Sequence, residues 1–327
     1  MKIKKIYKVF KVVLIDLIIG FYVSYTTCFI FTNLTGFEIH PINRVLLGFA
    51  LSLIGILSKR SLGWRLIFKH KKGSWKLMTL FLFFLTFLTG WLLVEIRPIK
   101  FFAKFSNANR IIAGLFNPDF TELKPMLTAL AETVYLAFMA TALAVPIAFI
   151  ISFLGARNLM STSLFSKVIY TLVRTIATVI RSIEALVWAI IFSVWVGIGP
   201  FAGMLALMFH SMAALVKLYS EQIENIDYGP IEALKSTGAN RLQIWIYGVI
   251  PQIINPFLAF TIYRWDINVR MATIVGFVGG GGIGLALHQQ QQLLRWRNVG
   301  LIMWLIALVV WSMDMISGKI REKLLQD

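Results

Sequence analysis

The sequence predicts an all-α protein with several membrane-spanning helices, and three observations support this. Hydrophobic residues occupy 58% of the 327 positions, charged residues only 14%, and the mean hydropathy is +0.77. Soluble globular proteins carry about 25% charged residues, so this chain has too few to cover a water-exposed surface. In addition, several segments contain the roughly 20 apolar residues that a helix needs to cross a bilayer.

Eight segments are apolar enough to be predicted spans. They are Val12–Phe31, Ile42–Ser58, Leu77–Ile96, Met126–Leu154, Ile183–Ile198, Phe201–Leu218, Gln252–Phe277 and Val299–Ile316. The first follows a lysine-rich stretch, but it is too long for a signal peptide and contains Asp16, so we interpret it as a retained helix. Residues 164–182, which contain two arginines, are interpreted as an interfacial helix that leads into the fifth span.

Lys and Arg number 32 against 15 Asp and Glu, which gives a formal net charge of +17. In a membrane protein such an excess indicates cytoplasmic loops beside anionic lipid, and not nucleic-acid binding. The basic N-terminus, the basic loop 59–76 and the basic C-terminal tail are therefore predicted to be cytoplasmic. The loop 97–125 is also basic although alternation places it outside, and its apolar spacing predicts a helix on the membrane surface.

The reactive residues exclude several classes of protein. Cys28 is the only cysteine, so an internal disulfide and a cysteine-based metal site are both excluded. The four histidines lie too far apart in sequence for a local metal-binding pair. The sequence therefore predicts no catalytic residue, no metal site and no disulfide scaffold.

A polar segment, 219–251, interrupts two apolar spans. Pro230 is placed at the start of a short helix, Gly238 follows as a C-terminal stop, and a second amphipathic turn leads to Pro251. This pattern predicts a helix–glycine–helix element across the membrane face, which suits a lever inserted into a groove of a partner protein.

This element resembles the EAA loop of ABC importer permeases, in which Glu-Ala-Ala is followed at fixed distances by Gly and by a hydrophobic stretch ending in Pro. Leu234 replaces the third alanine of that pattern, and Gly248 replaces an aliphatic residue. The resemblance implies that the loop couples to an ATPase. The residues that match are Glu232, Ala233, Gly238, Ile250 and Pro251.

A second segment, 261–285, contains a Gly-x-Gly-x-x-Gly spacing that fails as a dinucleotide site, because it follows a membrane helix and no acid lies about 20 residues on. Its glycines permit close backbone packing within the membrane. Together with the Tyr263–Arg270 run it closely resembles the phosphonate-type branch of these permeases. The matching glycines are Gly279, Gly281, Gly282 and Gly284.

The resemblance implies a type I ABC importer fold, a permease homodimer, a cytoplasmic ABC ATPase dimer that binds ATP and Mg²⁺, and an extracytoplasmic substrate-binding protein. The chain itself would bind no cofactor and would lie in the cell membrane in contact with lipid. The expected organisation is an extra two-helix segment (1–75), a lead helix with an interfacial segment (76–125), the permease core (126–318) with its coupling loop (219–247), and a cytoplasmic tail (319–327).

Charged residues within spans are costly and usually functional. Asp266 and Arg270 lie four residues apart and are expected to pair on one helix face, as are Arg181 and Glu184. Arg264 has no acid at that spacing and is expected to line the route of an anion, because guanidinium suits a tetrahedral oxyanion. The pathway candidates are Arg264, Asp266, Asn268, Arg270, Glu184 and His210.

Two alternatives stay open at this point. A methionine- or amine-type importer permease would share the coupling loop, but the net positive charge of the Tyr263–Arg270 run favours an anion over a zwitterion. A lipid-modifying membrane enzyme would require clustered His, Asp and Glu at the membrane surface. The acids of the segment 219–251 have no His or Cys near them in sequence.

Overall fold

A computed structural model describes residues 2–36, 39–58, 75–103, 105–161 and 163–326 of the chain. Every regular element in these ranges is helical, which confirms the predicted fold class. The chain divides into two compact units, Met1–Phe105 and Ser106–Asp327. Most of the basic loop 59–76 lies outside the described residues, so its cytoplasmic placement stays a prediction.

The first unit is built around three long helices. Ser24 on the first helix donates a hydrogen bond to the carbonyl of Arg44 on the second, at 2.5 Å. The hydroxyls of Tyr22 and Thr86 are 2.6 Å apart and join the first helix to the third. The helices are α1 (Lys2–Thr35), α2 (Pro41–Ser58), α3 (Trp75–Leu93) and the short α4 (Pro98–Ala103).

The second unit contains the predicted core. A 3₁₀ turn, Phe120–Glu122, leads into its longest helix. The helices are α5 (Phe105–Phe116), α6 (Leu123–Leu154), α7 (Leu164–Ser182), α8 (Ala185–Val196), α9 (Pro200–Glu224), α10 (Gly229–Ser236), α11 (Ile250–Gly276), α12 (Gly282–Gln292) and α13 (Trp296–Gln326).

Small residues let the helices of this unit approach closely. On α6, four alanines three or four residues apart form one fully buried stripe, and α9 presents a similar stripe toward the core. Small side chains at such positions allow helix backbones to pack in lipid, where no hydrophobic driving force between helices exists. The alanines of α6 are Ala137, Ala140, Ala144 and Ala148.

Three of the eight predicted spans are not among the described helices that could cross a bilayer by themselves: Ile42–Ser58 and Leu77–Ile96 coincide with shorter apolar helices, and the third is α8. Five of the described helices are long and apolar enough to cross a bilayer, but α8, at 12 residues, is shorter than the predicted span Ile183–Ile198. At about 1.5 Å per residue it cannot cross a hydrocarbon layer of about 30 Å. It instead follows α7 after a 92° bend, and the two helices are long and apolar enough to cross only when they are taken together.

Candidate functional site

The ends of the polar loop are held together by Gln252 on α11. Its amide oxygen accepts the Asp227 N–H at 2.8 Å, and its amide nitrogen donates to the carbonyls of Asp227 and Gly248, at 3.1 and 2.6 Å. The Asp227 carboxylate in turn accepts the Gly229 N–H at 3.0 Å and so fixes the turn that precedes α10. One side chain therefore closes the loop onto the helix that follows it.

Helix α10 ends in a Schellman motif at Gly238. The Gly238 N–H donates to Lys235 O at 3.1 Å, and the Ala239 N–H donates to Leu234 O at 3.2 Å. Gly238 has φ of +79°, a left-handed conformation that glycine adopts at little cost. Glu232 and Ala233 are exposed on this helix. The loop thus presents these two residues outward from a helix with a fixed end.

The second half of the loop begins with a reciprocal cap. Asn240 and Gln243 each accept the other's backbone N–H with a side-chain oxygen, both at 2.9 Å. This is the capping-box arrangement, which satisfies two N–H groups that a helix start leaves free. A π-helical segment, Ile244–Val249, then carries the chain into α11, and Ile250 and Pro251 occupy the first positions of α11.

The two departures from the EAA pattern meet in the structure. A Cβ atom added to Gly248 would lie 3.1 Å from Leu234 Cδ1 and 3.4 Å from Ile231 Cγ1. Leu234 is larger than the alanine it replaces, and Gly248 is smaller than the aliphatic residue it replaces. The two substitutions therefore compensate in volume, and the contact between the two halves of the loop is kept.

Arg174 anchors the loop to the core. Its Nε donates to Gly155 O at 2.8 Å, and its Nη2 lies 2.7 Å from the Glu224 carboxylate, at the end of α9. The same carboxylate oxygen accepts the Arg157 N–H at 2.7 Å. No local sequence pattern predicts this cluster, because its members are far apart in the chain, and the only signal is the presence of an arginine within α7.

A second group of polar side chains lies buried among α6, α9 and α11. Arg264 Nε donates to Ser211 Oγ at 3.0 Å, Ser211 donates to Asn268 Oδ1 at 2.8 Å, and Asn268 donates to Thr141 Oγ1 at 2.9 Å. Arg264 is 8% exposed and Asn268 is 0% exposed. Three helices are thus joined by a continuous chain of hydrogen bonds that ends on a guanidinium group.

Arg264 is held by neutral groups. Among the described residues no acid forms an ion pair with it, and its Nη2 is buried without a hydrogen-bond partner. Glu184 and Arg181, on either side of the α7–α8 bend, lie within electrostatic range of Arg264 and of His210. A hydrogen bond between Nδ1 of His210 and the Ile183 carbonyl, at 3.1 Å, holds the imidazole ring in place.

Of the two predicted charge pairs, one forms in the structure and the other does not. Asp266 and Arg270 do form an ion pair, and Asp314 lies 3.8 Å from the same guanidinium. The expected pairing of Arg181 with Glu184 was wrong, since the two do not form an ion pair although both are described. The reason is the extended backbone at Ile183, which ends α7 and removes Glu184 from its helix face.

The glycine-rich turn closes on α6. The Ile283 N–H, in the first turn of α12, donates to Thr133 Oγ1 at 2.8 Å. An added Cβ atom would lie 2.5 Å from Ile198 at Gly279 and 2.6 Å from Pro200 at Gly281, and it would collide with Thr133 at Gly282. All three glycines have positive φ angles. Gly284 lies against the backbone of α11. Thr133 therefore caps a helix 150 residues away, which no local pattern predicts.

Comparison with known proteins identifies the family. The model of the binding-protein-dependent transport system inner membrane component matches residues 148–321. The chain belongs to this family. It is therefore a permease subunit of an ABC transporter and not an enzyme, as the resemblance in its two polar segments implied.

Two relatives of this permease come from Stutzerimonas stutzeri. HtxC, a proposed phosphite transport system permease protein, is 34% identical over 236 residues, which cover 72% of this chain and 82% of HtxC. The phosphite transport system permease protein PtxC is 33% identical over 205 residues, which cover 63% of this chain and 73% of PtxC.

The fold of the permease matches that of a solved transporter. An inward-facing structure of the MetNI methionine ABC transporter superimposes with a TM-score of 0.54 at 18% identity, covering 63% of this chain and 99% of the other. At this identity the match establishes the type I importer fold and carries no information on substrate.

Proposed function

We propose that this chain forms the membrane pathway of an ATP-driven importer of a phosphorus oxyanion, such as a phosphonate, phosphite or phosphate. The observation that carries the proposal is Arg264, a buried cation in a membrane helix whose Nη2 has no partner among the described residues. An arginine in mid-span costs at least ~2.5 kcal/mol on insertion scales. A transient tetrahedral anion would offset that cost, and the relatives named for phosphite transport support the same substrate class.

The other pathway candidates have different roles in this proposal. Asn268 and Ser211 orient the guanidinium through the hydrogen-bond chain. His210 and Glu184 lie with Arg264 near the α7–α8 bend, where an interrupted helix leaves polar backbone available to line a route. Asp266 and Arg270 neutralise each other, so they stabilise α11 beside the route.

The complex is proposed to contain two copies of this chain, two cytoplasmic ATPase subunits that bind ATP and Mg²⁺, and an extracytoplasmic binding protein. The exposed Glu232 and Ala233 on α10 would contact the ATPase. Because Gln252 closes the loop onto α11, a displacement of α10 would move α11, which carries Arg264. Both termini would then lie in the cytoplasm.

The test is uptake by the complex reconstituted in vesicles, with phosphonate, phosphite, phosphate and methionine as separate cargoes. We expect Arg264→Gln to assemble and to hydrolyse ATP but to lose most oxyanion uptake. Arg264→Lys should recover part of it, because lysine keeps the charge and lacks the planar fork. Lys319→Gln, which removes an exposed charge from the tail, is the matched control.

Full oxyanion uptake by Arg264→Gln would show that Arg264 does not act in the pathway. Uptake of methionine in place of an oxyanion by the unmodified complex would favour the methionine-type alternative. A loss of folded protein in Arg264→Gln, with normal yield for Arg264→Lys, would assign Arg264 a structural role instead.

A further inference from the structure

An open cavity of about 590 Å³ lies in the second unit, where the turn between α5 and α6 meets the turn between α12 and α13. Three arginines line it, Arg110, Arg295 and Arg297, together with the carboxylates of Asp119 and Glu122. None of these residues belongs to the coupling loop or to the buried polar chain.

The cavity lies at the end of α6 that is remote from the coupling loop. α6 begins beside the cavity and runs for 32 residues to Gly155, whose carbonyl accepts a hydrogen bond from Arg174, the anchor of the loop. At about 1.5 Å per residue this length exceeds the thickness of a bilayer. If the coupling loop is cytoplasmic, as proposed, the cavity opens on the extracytoplasmic side.

The walls of the cavity are fixed by hydrogen bonds between segments distant in sequence. Arg297 Nε donates to Asn117 O at 3.1 Å, and the Asp119 N–H donates to Arg297 O at 3.4 Å. Trp304 Nε1 donates to Leu115 O at 3.1 Å, which joins α13 to the end of α5. These hydrogen bonds between distant segments therefore hold the cavity in a defined shape.

The side chains that line the cavity carry more positive than negative charge. Arg297 lies 4.0 Å from Asp119 and the two neutralise each other. Arg110 and Arg295 form no ion pair or side-chain hydrogen bond with the described residues, and one opposing carboxylate, Glu122, remains. The N-terminal ends of α6 and α13 add partial positive charge, and Glu122, the residue just before α6, opposes that of α6.

We propose that this cavity binds a phosphorus oxyanion group, either as free phosphate or phosphonate or as the phosphate of an anionic lipid headgroup. Guanidinium groups form paired, charge-assisted hydrogen bonds to such oxygens, and those of Arg110 and Arg295 have no partner within the part of the chain that the structure describes. The site also explains why basic residues such as Arg110 occur in a loop that alternation places outside, against the usual charge bias.

The experiment uses the assembled complex in nanodiscs without ATP. Radiolabelled inorganic phosphate is titrated by equilibrium dialysis in zwitterionic lipid, and retained phosphatidylglycerol is counted by native mass spectrometry in mixed lipid. We expect Arg110→Gln/Arg295→Gln to weaken one of these two interactions about tenfold or more, in line with the loss of charge-assisted hydrogen bonds. Lys319→Gln should leave both unchanged.

If the arginine variant loses binding of inorganic phosphate, the cavity takes a free anion. If it loses phosphatidylglycerol, the cavity takes a lipid headgroup. Glu122→Gln, which removes the opposing carboxylate, should strengthen the same interaction and keeps the test valid if the arginine variant folds poorly. Equal phosphate binding and equal lipid retention in all these variants would overturn the inference. Since no arm depends on ATP-driven uptake, a failure of the proposed transport function would leave this result readable.

Discussion

At the scale of single residues, Arg264 is one of four described side chains with a buried polar atom that has no hydrogen-bond partner, and its guanidinium is nevertheless held in a defined direction. Ser211 can donate to Asn268 and accept from Arg264 at the same time, because a hydroxyl has one donor and two acceptor sites. In the same way, the Asn268 amide accepts from Ser211 through its oxygen and donates to Thr141 through its nitrogen. The chain of bonds therefore fixes the direction of the guanidinium while leaving Nη2 available.

The stability of the turn around Asp119 is expected to depend on pH. Its pKa is lowered from 3.8, first by the hydrogen bond from the Thr121 N–H, then by the Thr121 hydroxyl, with a smaller contribution from Arg297. A carboxyl with a lowered folded-state pKa stabilises the fold above its unfolded pKa, and this contribution is lost as the pH falls through the lowered value. We expect hydrogen exchange of residues 117–122 to accelerate as the pH falls below 3.8, after correction for intrinsic rates.

Asp119→Asn serves as the control, because asparagine can accept the Thr121 N–H and does not titrate. Its corrected exchange should be independent of pH over the same range. An equal acceleration in both proteins would show that another group is responsible.

At the scale of elements, the coupling loop is defined by the end of α10. Gly238→Val should impair coupling, since a left-handed conformation costs an L-residue roughly 1–2 kcal/mol and β-branched residues tolerate it worst. No atom of the described residues lies within 4 Å of the added Cβ, so the effect is conformational and not steric. We expect insertion and dimerisation to persist while ATP-driven uptake falls.

Gly238→Asn is the matched variant, because asparagine tolerates the left-handed region. It should retain most of the uptake that Gly238→Val loses. Unchanged uptake in Gly238→Val would show that this helix end is not part of the coupling mechanism.

The contact between Leu234 and Gly248 predicts a double-mutant result. Gly248→Val should destabilise the loop by about 1–3 kcal/mol through overpacking, since its Cβ would lie 3.1 Å from Leu234 Cδ1. In Leu234→Ala/Gly248→Val the removed leucine makes room for valine. We expect a favourable interaction of about 0.5–3 kcal/mol, measured by thermal unfolding of the four purified proteins. Additive effects would contradict the compensation.

At the scale of the whole molecule, the sequence was informative wherever a pattern is local. Apolar runs located the helices, the helix stop at Gly238 followed from its spacing, and Asp266 and Arg270 pair at four residues as expected. What the sequence could not supply are the long-range contacts. Arg264 meets Ser211 across 53 positions, and Asn268 meets Thr141 across 127. Such contacts depend on how helices pack, and no periodicity encodes them.

The orientation of the chain in the membrane rests on loop charge alone, and cysteine labelling tests it. On a background in which the buried Cys28 is replaced by serine, single cysteines are placed at 107 and 240. Position 240 lies in the coupling loop, whereas 107 lies on α5, near the start of α6. We expect an impermeant thiol reagent to label 107 only from the extracytoplasmic side and 240 only from the cytoplasmic side. α6 must cross the bilayer between them, since its 32 residues span about 48 Å at ~1.5 Å per residue. Labelling of both positions from one side would mean that α6 does not cross, and would invalidate both the coupling loop and the extracytoplasmic cavity.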